Sequence, residues 1–133
     1  MLEFEQLGLK LEANESELRD LKDALGYNAL CREIEELETK AAAPGFWDDP
    51  EKSQKIVVKT KQAENKIERY AQMVSLWEDL LTICEMAAEE DDDSMLEELK
   101  EGYAALTADM EKCRLETLLT GKYDKNNAIM SFQ

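Results

Sequence analysis

Ile56, Thr60, Ala63, Ile67, Tyr70, Val74, Trp77, Leu81, Cys84 and Ala88 follow one another at alternating steps of four and three residues, over more than four heptads. Only an α-helix with one face held against other helices sustains that period. A helix from Pro50 to about Glu90 would be roughly 60 Å long at a rise of 1.5 Å per residue. From Met73 a second stripe runs beside the first, through Leu76, Leu80, Ile83 and Ala87. Two adjacent stripes imply that this half meets more than one helix, while the thinner first half is the more exposed.

The same period recurs on either side. Phe4, Leu7, Leu11, Asn14, Leu18, Leu21 and Leu25 form a seam with one polar member. Asn14 either fixes register against a neighbour or marks an exposed position near a bundle end. Gly26 ends that helix, and Leu30, Ile34, Leu37 and Ala41 restart the period out of phase, so a kink or turn is expected at Gly26-Tyr27-Asn28. Glu89-Glu90-Asp91-Asp92-Asp93 is a solvated acidic block that stops the long helix. It lacks the alternating ligands, central glycine and distal glutamate of a calcium loop. Ser94-Met95-Leu96-Glu97 reads as a capping box, followed by the seam Leu96, Leu99, Tyr103, Leu106, Met110 and Cys113.

The fold class is therefore all-α, a long-helix hairpin or bundle with heptad packing, with helices at about 2–25, 28–42, 50–90 and 95–119. After Gly121 the pattern changes, and Asn127-Ala128-Ile129-Met130-Ser131-Phe132 has the alternation of a strand. A lone strand cannot satisfy its own hydrogen bonds. Residues 1–120 thus read as a helical domain, and 121–133 as a linker and the first strand of a further domain.

Charge narrows the chemistry. The chain carries 31 acidic and 16 basic residues, a net charge of -15, which repels nucleic acid and anionic lipid as a whole. No apolar run is long enough to span a bilayer, and the N-terminus has no signal-peptide pattern. Cys31, Cys84 and Cys113 lack C-x-x-C spacing and fall in apolar-periodic segments, as packed, reduced thiols of a cytoplasmic protein do. Histidine is absent, which removes the usual general base and the commonest neutral metal ligand. Nothing here asks for a cofactor, and carboxylate pairs such as Glu35-Glu36 or Glu97-Glu98 read as solvated helix faces rather than an acid-base pair.

Two features remain. Phe46-Trp47-Asp48-Asp49-Pro50 sets two large aromatics against a helix start, with Pro44-Gly45 ending the helix before it. The expected role of this corner is structural, its rings plugging the end of a bundle. The other is a basic stretch: Lys52, Lys55, Lys59, Lys66 and Arg69 share one side of the long helix. With Lys61, six basic residues face only Glu64 and Glu68 between positions 52 and 69. This stretch is either a contact surface for phosphate or an acidic protein, or a solvated face bridged by neighbouring carboxylates.

The string FWDDPEKSQK resembles the bacterial peptide chain release factor 2 family of class I release factors, and so does the junction from Leu118 to Ile129, LLTGKYDKNNAI. The resemblance covers the whole chain and implies the family's N-terminal helical domain. It implies a parent factor that acts on the ribosome at UGA and UAA stop codons and triggers peptidyl-tRNA hydrolysis. The family's Ser-Pro-Phe and Gly-Gly-Gln tripeptides occur nowhere in these residues, so no catalytic or decoding role transfers to them. The implied partners are the ribosome, at the base of the large-subunit stalk, and the GTPase release factor. The messenger RNA would be met only through other domains, and neither membrane nor DNA is implied. Periodicity alone would equally suit a free-standing acidic coiled-coil scaffold.

Overall fold

The structure, a computed structural model, describes residues 2–119. Four α-helices account for most of them: α1 (Leu2–Leu25), α2 (Tyr27–Ala41), α3 (Pro50–Glu90) and α4 (Leu96–Thr117). Short 3-10 turns at Phe46–Asp48 and Asp93–Met95 precede α3 and α4. The linker and strand expected at 121–133 lie outside the described residues. The helices form two compact units, one of residues 26–71 and the other of 2–25 with 72–119.

In the larger unit α1, the second half of α3 and α4 make a three-helix bundle. Phe4, Leu7, Leu11, Asn14, Leu18 and Leu21 are all buried, so the α1 seam is the core stripe that its spacing predicts. The other buried side chains of this unit are Met73, Leu80, Cys84 and Ala87 of α3 and Leu99, Leu106, Met110 and Cys113 of α4. The indole N–H of Trp77 donates to the Leu11 carbonyl at 2.6 Å, and the Cys84 thiol lies 3.5 Å from the Phe4 carbonyl. These two contacts run α1 antiparallel to α3. Lys100 pairs with Glu3 at 3.1 Å and Lys10 lies over the Tyr103 ring, which sets α1 parallel to α4. At Gly102 a Cβ would come within 2.6 Å of Leu80 Cδ2, so α4 packs against α3 at a distance that a larger residue would disturb.

Asn14 is only 3% exposed, which selects the core alternative. Its amide donates to Glu17 Oε1 at 2.7 Å, while its own Oδ1 has no hydrogen-bond partner among the described residues. An unpaired buried acceptor costs about 1–3 kcal/mol. Asn14→Leu should therefore raise stability by about 1–2 kcal/mol, read as a higher urea midpoint at unchanged m-value. Asn14 borders a groove open to solvent, lined by Leu21, Tyr103 and Met110 together with the charged Glu17, Asp20, Glu111 and Arg114.

In the smaller unit α2 returns along the first half of α3. Tyr27 and Tyr70 meet edge to face at 5.6 Å at one end of this pair, and the Phe46–Asp48 turn closes the other. Its core is slight, Leu37, Ala63 and Tyr70 with the small polar Ser53, whose hydroxyl donates to the Pro50 carbonyl. Gly26 and Gly45 take left-handed φ values of 73° and 79° just before α2 and the 3-10 turn, a conformation that other residues adopt at a cost.

Several expectations need correction. In the second half of α3 the deeper positions are Met73, Leu80, Cys84 and Ala87; Val74, Trp77 and Leu81 are half-buried and Ala88 is exposed. Ala63, Tyr70, Trp77 and Cys84 keep their seven-residue spacing as buried or half-buried positions, and the deeper neighbours of that line in this half are Met73, Leu80 and Ala87 rather than Val74, Leu81 and Ala88. No capping box forms at Ser94. Asp92 instead accepts from the Ser94 amide at 2.9 Å, and that bond holds its carboxyl below the usual range. Cys31 is exposed, unlike Cys84 and Cys113. Burial first, then the neighbouring Glu85 carboxylate, pushes the Cys84 thiol up, which keeps it protonated and unreactive.

The long helix ends without a glycine. The Asp92 amide reaches the Ala87 carbonyl and the Asp91 amide the Ala88 carbonyl, with Asp91 in the left-handed region at φ 54°. Asp91→Gly should relieve that strain and remove a carboxylate from the negative end of the helix dipole. The expected gain is about 0.5–1 kcal/mol by thermal unfolding, while Asp91→Ala should lose stability.

Candidate interaction surface

The corner and the basic stretch both fall in the smaller unit. Ala43, Pro44 and Gly45 turn the chain after α2, and the Phe46 and Asp48 amides donate to the Ala43 and Gly45 carbonyls. Asp49 Oδ1 accepts the Lys52 amide at 3.3 Å, and the Asp49 carbonyl accepts from Ser53. Asp49 therefore caps α3, with Pro50 at the first helical position, where its missing N–H is not needed. Phe46 is half-buried and stands edge-on to Trp47, centroids 4.6 Å apart at 82°. Trp47 is 69% exposed. The pair does not plug a core: a half-buried Phe46 packs against an indole that is exposed.

Lys52, Lys59 and Lys66 are seven residues apart on α3, so they stand in line at intervals of about 10 Å. With Lys55 they occupy an arc of about 60° on the helix wheel, and Arg69 extends it to about 100°. Lys61 points away from this arc. The four lysines are exposed and Arg69 is half-buried. Among the described residues none of Lys52, Lys55, Lys59 and Lys66 has a carboxylate partner within ion-pair distance. The alternative of a face bridged by neighbouring acids is thus unrealised for these four. Arg69 has an interaction of its own.

Charge is partitioned between the units. Residues 26–71 hold eight basic and nine acidic side chains, whereas 2–25 and 72–119 hold six and twenty-one. Nearly all the net negative charge belongs to the bundle of α1, α4 and the second half of α3. A polyanion would be repelled there and tolerated along the lysine line. Sequence reasoning named the lysines but not the bare indole, because exposure of Trp47 depends on which ring of the pair turns inward. Among the described residues no group of three metal-ligating side chains gathers, and no helix is long and apolar enough to cross a membrane.

The PCRF domain model matches residues 30–133. The chain belongs to the PCRF domain family. Peptide chain release factor 2 of Clostridium perfringens strain SM101 is 30% identical to this PCRF-domain chain over 131 residues, 98% of the chain and 36% of that protein. The protein of the same name from Lactiplantibacillus plantarum is 33% identical over 120 residues, covering 90% of the chain and 32% of the relative. That of Exiguobacterium sp. is 33% identical over 129 residues, covering 97% and 35%. The chain thus spans about a third of the length of the curated relatives it matches. No solved structure gives a significant match. The PCRF match takes in both the aromatic corner and the lysine line.

Proposed function

We propose that this PCRF domain serves translation termination at UGA and UAA codons as a docking element, binding the ribosome near the base of the large-subunit stalk, where the GTPase release factor also acts. The relatives, all named peptide chain release factor 2, supply the process. The observation that carries the docking role is the row of lysines on α3 with no ion-pair partner among the described residues. Lysines aligned in this way neutralise phosphates without reading sequence, which suits a contact that positions rather than selects. The contribution of these residues is binding, and the chemistry of peptide release belongs to the Gly-Gly-Gln element of the family.

A free-standing coiled-coil scaffold fits less well. The relatives that match nearly the whole chain carry the name of a release factor and not of a scaffold. Co-sedimentation with ribosomes tests the docking reading directly. The chain should pellet with ribosomes at low salt and be released as salt rises. Failure to pellet at low salt would remove the reading.

A further inference from the structure

We propose that Trp47 is a stacking platform for an unpaired nucleobase, so that the surface of α3 takes a looped RNA strand rather than a uniform duplex. This rests on the docking reading above and specifies its ligand. Trp47 is 69% exposed, and every other aromatic side chain among the described residues is buried or half-buried. Its orientation is held from behind by the half-buried Phe46 ring, edge-on at 4.6 Å. The turn that carries it is short and constrained, with Gly45 in the left-handed region and amide bonds from Phe46 and Asp48 closing it. A presented, preoriented indole offers a flat face at little ordering cost.

The corner leads directly into α3, and the first unpaired lysine stands five positions after the indole. A strand whose phosphates follow Lys52, Lys55, Lys59 and Lys66 would bring a base to the corner. Asp48, Asp49 and Glu51 lie between the indole and that line. Those carboxylates disfavour a phosphate at the corner, and Asp49 is already committed to the Lys52 amide. The neutral flat face of a base avoids this repulsion, and stacking tolerates any base because each has a π-face. Duplex RNA keeps its bases paired and stacked inside the helix, so only a loop or bulge can supply one.

The test compares two RNAs of equal charge, a hairpin with an unpaired loop and a blunt duplex, against the full chain at low salt. The wild-type chain should prefer the hairpin. Trp47→Ala should weaken hairpin binding about tenfold and leave the duplex unchanged, while Trp47→Phe should retain most of the preference. Equal affinity of the wild type for both RNAs, or a hairpin affinity unmoved by Trp47→Ala, would overturn the stacking role. So would preferential, Trp47-dependent capture of an arginine-rich peptide, which would give the indole to a cationic protein segment instead. Glutamate at Lys55, Lys59 and Lys66 separates the two readings: lost RNA binding there with no Trp47 effect defeats stacking alone. Wild-type binding to neither RNA, or binding unmoved by the glutamates, defeats both.

Discussion

Leu11→Ala should destabilise the chain by about 3 kcal/mol, whereas Leu9→Ala, two residues away on the same helix, should change stability by less than about 0.5 kcal/mol. The contrast follows from geometry, since the two side chains have the same chemistry. Leu11 is 0% exposed, between Phe4, Leu7 and Leu18 along α1, and its own carbonyl receives the Trp77 indole. Leu9 is 67% exposed on the opposite side of the helix. Truncation at Leu11 loses the transfer free energy of three carbons and leaves a cavity that neighbours fill only in part. Urea denaturation followed by far-ultraviolet circular dichroism measures both. Equal losses at the two positions would show that α1 does not pack through its Phe4-to-Leu21 stripe.

Replacing Lys52, Lys55, Lys59 and Lys66 together by glutamine should lower affinity for ribosomes on the order of a hundredfold near physiological salt. The slope of log affinity against log salt should fall by about three to four, close to one per phosphate contact removed. Glutamine keeps the length and helix propensity of lysine, so α3 should be unaffected and stability nearly constant. Because these lysines have no ion-pair partners among the described residues, their removal leaves no carboxylate stranded. As a control, Lys100→Gln breaks the exposed pair with Glu3 in the other unit and should leave ribosome affinity unchanged. An unaltered salt slope in the fourfold variant would place the contact elsewhere.

The helices were legible because each carries its own evidence. The α1 seam at 4, 7, 11, 14, 18 and 21, the Gly26 break, the Asp49-Pro50 start and the acidic stop after Glu90 are local patterns of period and capping. Legibility failed where two local answers compete. Both apolar stripes of α3 satisfy a helical period, and only the packing of α1 and α4 in one bundle decides that Met73, Leu80 and Ala87 go deeper than Val74 and Leu81. Asp92 and Ser94 are each good caps, and the geometry of the turn gives the bond to Asp92.

By itself the sequence determined that there are four helices among the described residues, roughly where each lies and which residues form its apolar stripes, because these properties are set by residues within a turn or two of one another. It also determined the lysine line, since four residues on one helix keep their spacing whatever surrounds them. Only the tertiary structure decided that Asn14 is buried, that among the described residues its oxygen and the four lysine ammonium groups of the line have no partner, and that Trp47 is exposed beside Phe46. Each of these depends on which segments come near, or turn away, in space. A local period can mark a face as polar or apolar, but it cannot say what that face will meet.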